Sequence, residues 1–315
     1  MQGYIIRRLL LMIPTLVGIT IFVFLITRFT PGGVVNQLVG EIGYQDQSLK
    51  DQLRRDLGLS NSLPKQYVTW LGHVVRGDLG KSYYTGRSVT EELKNRVPVS
   101  VELGAFAMAF SILLGIPIGI ISAIRQDSWL DYITRGLAIF LLAVPGFLLA
   151  IIVIWLGSKF FGWAPPFRYS EPWTNLGNNL YIILTPALLL GLGLSGAKMR
   201  LTRTQMLEVL RQDYIRTAMA KGLTGRTVIL RHALKNALIP IVTIIGLQIP
   251  ILIAGAVVLE TIFLLPGVGR YLVDSATRSD YPILQGLTLI VAAVIVFSNL
   301  IVDLSYAFLD PRVKY

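Results

Sequence analysis

The 315-residue chain has no cysteine and only two histidines, His73 and His232. The missing cysteines exclude disulfides, thiol catalysis and thiolate metal sites. The histidines are far apart in the sequence and share no ligand-like spacing, so we expect no metal site and no cofactor. Charge is also scarce, because Asp, Glu, Lys and Arg make up 15% of the chain, against about 25% in ordinary soluble domains. So little polar surface cannot cover a globule in water.

A working nucleotide-binding motif is missing as well. Gly191, Gly193 and Gly196 match the G-x-G-x-x-G spacing of dinucleotide-binding folds, but they lie in an apolar run with no strand before them. Small residues at such spacing are typical of membrane helices that approach each other closely. Ala197 separates Gly196 from Lys198, so the stretch does not form a phosphate-binding loop either. We therefore expect no catalytic residue and no ATP binding through such a loop.

Apolar residues are abundant instead. They make up 53% of the chain, and the mean hydropathy is +0.62. A membrane-spanning helix needs about 20 predominantly apolar residues. Six segments approach this length, at about 5–27, 99–124, 136–157, 180–197, 238–263 and 282–306. The first is too long for the apolar core of a signal peptide and is interpreted as an uncleaved anchor. The sequence thus predicts an all-α, polytopic membrane protein with six transmembrane helices.

The distribution of cations predicts an orientation. Short cytoplasmic loops carry an excess of Lys and Arg. Arg7 and Arg8 therefore keep the N-terminus inside, and an even number of spans returns the C-terminus to the same side. The loops at 125–135 and 198–235 then face the cytoplasm, whereas the loops on the other side carry few cations. We expect an N-in, C-in topology.

The spans divide the chain into three predicted parts. These are 1–28, the first helix with the cytoplasmic N-terminus; 29–98, an exterior helical cap; and 99–315, a five-helix core with a cytoplasmic loop at about 198–237. In the cap, Tyr67 and Trp70 belong to an apolar face with helical spacing. Ser88 and Glu91 form a plausible capping box before the next helix.

The cytoplasmic loop is unusually basic and has a regular inner pattern. Only Glu208 and Asp213 oppose its cations, which are Lys198, Arg200, Arg203, Arg211, Arg216, Lys221, Arg226, Arg231 and Lys235. Tyr214, Ala218 and Gly222 lie at helical spacing, and Gly222 permits a chain reversal because glycine reaches positive φ freely. A second helix is expected at 227–237. Two short helices that meet at a glycine predict a knob that fits a groove of a soluble partner.

Two simpler explanations of the formal net charge of +11 are binding of nucleic acid and attraction to anionic membrane lipid. Nucleic acid binding is not expected, because most of the excess charge lies in this one loop. Anionic membrane lipid is attracted by cations next to a membrane. Lipid accounts for the charge of the loop, but it does not account for the helical pattern.

With these residues the chain resembles the permease subunits of ABC importers for dipeptides and oligopeptides, and in particular the first of their two permease chains. The segment RTAMAKG, residues 216–222, resembles that family's version of the cytoplasmic EAA loop, with Arg216 and Thr217 in place of the usual first two letters. Further resemblances are the N-terminal span, GDLGKS at 77–82, VPVSVEL at 97–103, ETIFLLPGVG at 260–269, Asp303 and DPR at 310–312. Together they cover nearly the whole chain.

The resemblance implies a type I ABC importer permease in a prokaryotic plasma (inner) membrane. It implies four kinds of partner besides lipid: a second homologous permease chain, two cytoplasmic ATPase subunits and an external substrate-binding protein. It also implies that the loop helix is the coupling helix, which sits in a cleft of an ATPase subunit. The corresponding residues are Asp213, Tyr214, Arg216, Thr217, Ala218, Lys221, Gly222 and Leu223.

Three carboxylates near membrane depth are candidates for a pathway, gating or structural role: Glu102, Glu260 and Asp303. An ionisable residue within a span is a functional hypothesis by default. Each of the three lies near the end of a span, where it could also cap a helix or pair with an arginine. For Glu260 and Asp303 we favour the structural interpretation.

Alternatives remain open at this point. The same family also carries nickel complexes, opines, antibiotics or oligosaccharides, and the spans single out no peptide-binding residue. A stand-alone secondary transporter or channel is a second class, although no convincing internal repeat or midplane charge cluster is present. A membrane-embedded enzyme is a third, and no paired carboxylates or metal-binding motif support it.

Overall fold

The computed structural model describes residues 2–29, 47, 51, 60–166 and 168–309, without the side chains of 2–4, 239, 254, 255, 303 and 305–309. Within these ranges the chain is helical, and its only β-type pairing is an isolated bridge between Lys81 and Ser88. The all-α prediction is confirmed. The part of the predicted exterior cap between residues 30 and 59, apart from residues 47 and 51, lies outside the described residues. The DPR motif at 310–312 lies outside them as well.

Twelve helices and one π-helical segment are described. Before the basic loop they are α1 (Gln2–Arg28), α2 (Leu63–Val75), α3 (Val89–Ile124), α4 (Trp129–Ala143), α5 (Gly146–Phe161) and α6 (Leu176–Leu210). From the loop onwards they are α7 (Asp213–Ala220), α8 (Gly225–Thr227), the π segment (Val228–Ala233), α9 (Leu234–Leu247), α10 (Ile249–Ile262), α11 (Val268–Thr277) and α12 (Tyr281–Leu309).

Four helices are long and apolar enough to cross a membrane on their own. They are Ile5–Arg28, Val89–Ile124, Leu176–Leu210 and Tyr281–Val302, and two bent helix pairs raise the total to six. The prediction of a polytopic membrane protein is therefore confirmed, and six spans require that each bent pair is one span. The N-in, C-in topology stays a prediction, because length and composition do not show direction.

The third predicted span, 136–157, is not a straight helix. The chain bends by 101° between Trp129–Ala143 and Gly146–Phe161. Val144 is extended, with φ −86° and ψ 121°, as expected for a residue that precedes a proline. Pro145 then caps the N-terminus of α5. The proline ends one helix here and does not merely kink it, which the apolar run alone does not reveal.

The second predicted span begins earlier in the structure than near residue 99. Helix α3 starts at Val89 and contains 36 residues, a length of about 54 Å. That exceeds the roughly 30 Å of a bilayer core, so the helix projects beyond the apolar layer. Its start agrees with the expected cap, since the Ser88 hydroxyl accepts the Glu91 N–H at 3.2 Å.

The chain forms two compact units. The first contains the described residues of 1–98 together with 270–300, and within it α1 packs against α2. The ring of Phe24 lies 5.5 Å from that of Tyr67 and 5.8 Å from that of Trp70, measured between centroids. Both α2 residues belong to the face predicted from helical spacing. In the same unit, the Ser82 hydroxyl of the GDLGKS motif donates to the Asp280 carboxylate at 2.5 Å.

The second unit contains 99–269 and 301–314 and carries the basic loop. One apolar core joins α3, α5, α6 and α10 through residues such as Leu103, Ala150, Ile183 and Leu259. A separate core joins the end of α3 to the loop elements and is centred on Met206, Ile215 and Val228. This second core determines how the loop helix is presented.

Candidate functional site

The loop helix α7 is held by its apolar side. Ile215 and Ala218, three residues apart on the helix, are 0% and 8% exposed. They belong to the core that also contains Met206 of α6 and Val228 of the π segment. The Tyr214 hydroxyl accepts the side-chain N–H of Asn236 in α9 at 2.8 Å. The helix is therefore a fixed part of this unit and not a freely moving loop.

The C-terminus of α7 is closed by a glycine. Gly222 has a φ of +78°, as expected for a residue that must reverse the chain. Its N–H donates to the Met219 carbonyl at 3.0 Å, and the Leu223 N–H donates to the Ala218 carbonyl at 3.4 Å. These two bonds define a Schellman motif with glycine at its left-handed position. The predicted turn at Gly222 is confirmed.

We expect Gly222→Val to disrupt this turn at a cost of roughly 1–2 kcal/mol, because a side chain strains the left-handed conformation. Gly222→Asn is the matched control, since asparagine tolerates that conformation. A Cβ atom at this position meets no atom of the described residues within 4 Å, so the expected strain is that of the backbone. If the predicted coupling role holds, the effect is measured as the response to substrate of the ATPase activity of the expected partner subunits. A fully coupled valine variant would contradict this role of the turn.

Exposed apolar side chains lie at the edges of the buried side of α7 and just after its C-terminal turn. Tyr214, Met219 and Leu223 are 43%, 54% and 41% exposed. Among the residues predicted for coupling, Asp213, Arg216, Thr217 and Lys221 are also exposed. Ala218 differs, because it is buried in the chain's own core and offers no surface to a partner. Met219 was missed by the sequence pattern, although it lies inside the RTAMAKG segment.

The second loop helix is not the short element expected at 227–237. It begins at Gly225, where the Thr224 hydroxyl caps it by accepting the Thr227 N–H at 3.4 Å. It then continues through the π segment into α9, which ends at Leu247. The loop thus leads into the fifth span through helices that bend by 48° between Gly225–Leu238 and Pro240–Ile253. A π segment is rare and frequently lies at functional positions.

Two cations counted in the basic loop are not on its surface. Lys198 is 0% exposed and lies within α6, where its amine donates to Ser111 of α3 at 2.9 Å and also to Gln248. Gln248 occupies the junction of α9 and α10 and donates to the Leu194 carbonyl at 3.3 Å. Lys198 therefore ties α6 to α3 and to a helix junction. The exposed basic surface is smaller than the sequence indicates.

Arg203 is the second such cation, and its partner was not found by sequence reasoning. Its guanidinium donates twice to Asp131 of α4, at 2.7 Å from Nε and 2.7 Å from Nη2. Asp131 is fully buried and also accepts the Ser122 hydroxyl at 2.6 Å and the Asp127 N–H at 3.1 Å. Ser128, three residues before Asp131, caps α4. This capping-box spacing is the one sequence pattern that draws attention to Asp131. We name this ion pair the α4–α6 clamp.

Glu102 lies in a polar cluster with the loop after α5. Its carboxylate accepts the Tyr169 hydroxyl at 2.7 Å and the Asn179 side-chain N–H at 3.2 Å. Burial and, next, the hydrogen bond to Glu102 raise the pKa of Tyr169 above its usual value. The phenol therefore stays protonated at physiological pH and remains a donor. These contacts join α3, the loop and α6.

Glu260 organises the turn between α10 and α11. It is 0% exposed, and its carboxylate accepts the Ser100 hydroxyl at 2.6 Å, while the same hydroxyl accepts the Val268 N–H at 2.9 Å. Gly267 lies directly against this carboxyl group. The side chain of Asp303, in α12, lies outside the described residues. The pathway, gating or structural roles of the three carboxylates stay predictions.

We expect Gly267→Ala to destabilise the protein by roughly 1–3 kcal/mol, because the added methyl group overlaps the Glu260 carboxyl group and must displace it. The midpoint of thermal unfolding in detergent measures the effect. Gly193→Ala in α6 is the control, since its added methyl group meets no atom within 4 Å. Equal midpoints for the two variants would show that the Glu260 contact is not tight.

Two family models match the chain. The model described as binding-protein-dependent transport system inner membrane component matches residues 115–315. The model of the N-terminal part of such a membrane component matches residues 1–104. The matches together cover the helical core, the basic loop and the preceding region.

Curated relatives match over their whole length. A dipeptide transport system permease protein of Alkalihalophilus pseudofirmus is 39% identical over 335 residues, which cover 100% of this chain and 100% of the relative. A protein with the same description from Escherichia coli (strain K12) is 39% identical over 338 residues, with 100% and 99% coverage. An oligopeptide transport system permease protein of Bacillus subtilis (strain 168) is 39% identical over 319 residues, with 100% coverage of both chains.

Proposed function

The chain belongs to the inner membrane components of binding-protein-dependent transport systems, and on that premise we propose that it forms half of the translocation pathway of an ATP-driven peptide importer. It is a multi-pass inner membrane permease and not a catalytic subunit. Such components work with partner subunits. We propose specifically a second homologous permease chain, two cytoplasmic ATPase subunits and an external substrate-binding protein.

One observation carries the docking part of the proposal: α7 is anchored by its buried side and exposes apolar side chains next to charged ones. Exposed Tyr214 and Met219 lie at the edges of the buried side, and exposed Leu223 follows the turn at Gly222. The outward side carries the exposed polar residues Asp213, Arg216 and Thr217. Exposed apolar side chains next to charged ones are a usual composition of a protein interface. This arrangement supports docking of an ATPase subunit and, with it, a cytoplasmic location of the loop and an N-in, C-in topology.

The contacts of α7 provide a route from docking to the spans. Two residues, Arg211 and Gln212, connect α7 to α6. On α6, Arg203 binds α4 through the clamp, and Lys198 binds Gln248 at the α9–α10 junction. A displacement of α7 by the partner would therefore move α6 and the elements tied to it together. Rigid-body motion of this kind is one established way to alternate access across a membrane.

Peptides are the proposed cargo because the similar permeases belong to dipeptide and oligopeptide transport systems. A further relative, from Pectobacterium atrosepticum, is described as a glutathione transport system permease protein and is 38% identical over 315 residues. Glutathione is itself a small peptide. The other cargoes considered from the sequence have no counterpart among these relatives.

Gentle isolation of the chain from its native membrane tests the proposal. We expect a second six-span chain and ATPase subunits to co-purify, and we expect peptide uptake after reconstitution only when ATP and a binding protein are supplied. Omission of ATP and omission of the binding protein are the two controls. Peptide transport by the purified chain alone would contradict the proposal and would favour a secondary transporter.

A further inference from the structure

Three arginines line a narrow groove between α3, α4 and α6, close to the clamp. Arg135 comes from α4, and Arg200 and Arg203 come from α6. The remaining wall is largely apolar and includes Ile118, Ala138 and Met199. The groove lies within one compact unit and is separate from the exposed face of α7.

The charge of the groove is not balanced. Asp131 compensates Arg203 through the clamp, which leaves one positive charge each on Arg135 and Arg200. Both of these side chains are exposed, and neither forms an ion pair with any described residue. Among the described residues, no carboxylate lines the groove. Two uncompensated guanidinium groups beside an apolar wall favour an anion that carries an apolar portion.

Aromatic residues indicate the depth of the groove in the membrane. Trp129 and Tyr132, in the first turns of α4, are 68% and 60% exposed. Exposed Trp and Tyr side chains are enriched at the level of the lipid headgroups. Arg135 lies less than one turn beyond Tyr132, and its guanidinium is 5.7 Å from the Tyr132 ring centroid. Arg135 is thereby placed at the boundary between headgroups and acyl chains.

We propose that this groove binds the phosphate of an anionic phospholipid. The guanidinium groups of Arg135 and Arg200 contact the phosphate oxygens, because the planar guanidinium donates to phosphate in a bidentate way. The apolar wall contacts the first part of the acyl chains. Basic pockets between membrane helices bind such headgroups. The bound lipid braces α4 against α6 next to the clamp, and this role does not depend on the cargo.

The assembled complex in nanodiscs tests the site. The probe is phosphatidylglycerol titrated into phosphatidylcholine, and the readouts are the lipid retained in native mass spectrometry and the thermal unfolding midpoint. We expect phosphatidylglycerol to raise the midpoint of the native complex. Arg135→Gln with Arg200→Gln should weaken retention by roughly fivefold for each arginine, about 25-fold together. The subunit composition of the complex should be the same in the native sample and in the variant sample.

Arg125→Gln with Arg231→Gln is the matched control, because it removes the same charge from exposed positions outside the groove. Equal losses of retained lipid in the two double variants would indicate diffuse attraction and would overturn the proposal. A midpoint raised equally by free glycerol phosphate in detergent would assign the groove to a soluble phosphate and not to lipid. If none of the variants changes the amount of retained lipid, the proposal is overturned as well. If the assembled complex transports no peptide while the lipid result holds, only the cargo proposal is lost.

Discussion

Arg203→Met is expected to lower the free energy of unfolding by about 3–5 kcal/mol, because it leaves the Asp131 carboxylate buried without a counter-charge. Asp131 is 0% exposed and receives two of its hydrogen bonds from this guanidinium. The Ser122 hydroxyl and the Asp127 N–H, which also donate to it, are neutral groups and cannot replace the lost charge. Denaturation in mixed micelles measures the change.

Two further variants separate the ion pair from simple loss of packing. Asp131→Asn with Arg203→Met removes both charges while the asparagine oxygen can still accept from Ser122, so the double variant should be more stable than Arg203→Met alone. Arg211→Met removes an exposed arginine from the same loop region, and we expect a change within about 0.5 kcal/mol. If Arg203→Met resembled Arg211→Met, the clamp would contribute no stability.

Met219→Asp with Leu223→Asp is expected to prevent docking of the ATPase subunits. Both side chains are exposed, Met219 on α7 and Leu223 directly after the turn that closes it, and truncation of a residue that dominates an interface costs at least about 2 kcal/mol, or roughly 30-fold in affinity. A carboxylate at either position would be desolvated on docking without a partner. Co-purification of ATPase subunits and substrate-stimulated ATP hydrolysis provide the measurement.

The variant chain should still fold, since neither side chain is buried. An unchanged thermal unfolding midpoint of the separate chain checks this point. Leu230→Asp supplies the control matched to Leu223→Asp: it introduces one carboxylate at a leucine that is 49% exposed but lies in the π segment. Normal docking by the Met219/Leu223 variant, or equal loss in the Leu230 control, would show that the outer face of α7 is not the specific docking surface.

The clamp and the buried lysine show why sequence reasoning overestimated the basic surface. Asp131 and Arg203 are separated by 72 positions, and Lys198 and Gln248 by 50. No local pattern reveals which distant side chains will meet. A count of Lys and Arg along the loop therefore includes charges that the fold places inside. The pair at Asp131 had a partial signal, because the Ser128 cap predicts where α4 begins but not what its first turn binds.

The sequence around Val144 is compatible with two outcomes, a continuous helix and a break. Pro145 is visible in the sequence, but spanning helices tolerate proline when neighbours satisfy the freed carbonyl. Pro14 and Pro186 do lie inside continuous helices. At Pro145 the chain instead breaks and bends by 101°. Tertiary packing decides between the two outcomes.

Local patterns in the sequence are enough to predict the helical class, the apolar spans and the turn at Gly222. Each depends on residues that are neighbours in the chain: runs of apolar side chains, caps one turn apart and the freedom of glycine at positive φ. The packing of the helices, in contrast, turns Ala218 and Lys198 inward, brings Arg203 to α4 and places Arg135 and Arg200 in one groove. These features depend on which helices pack together, and that packing is set by the combined burial and charge pairing of residues far apart in sequence.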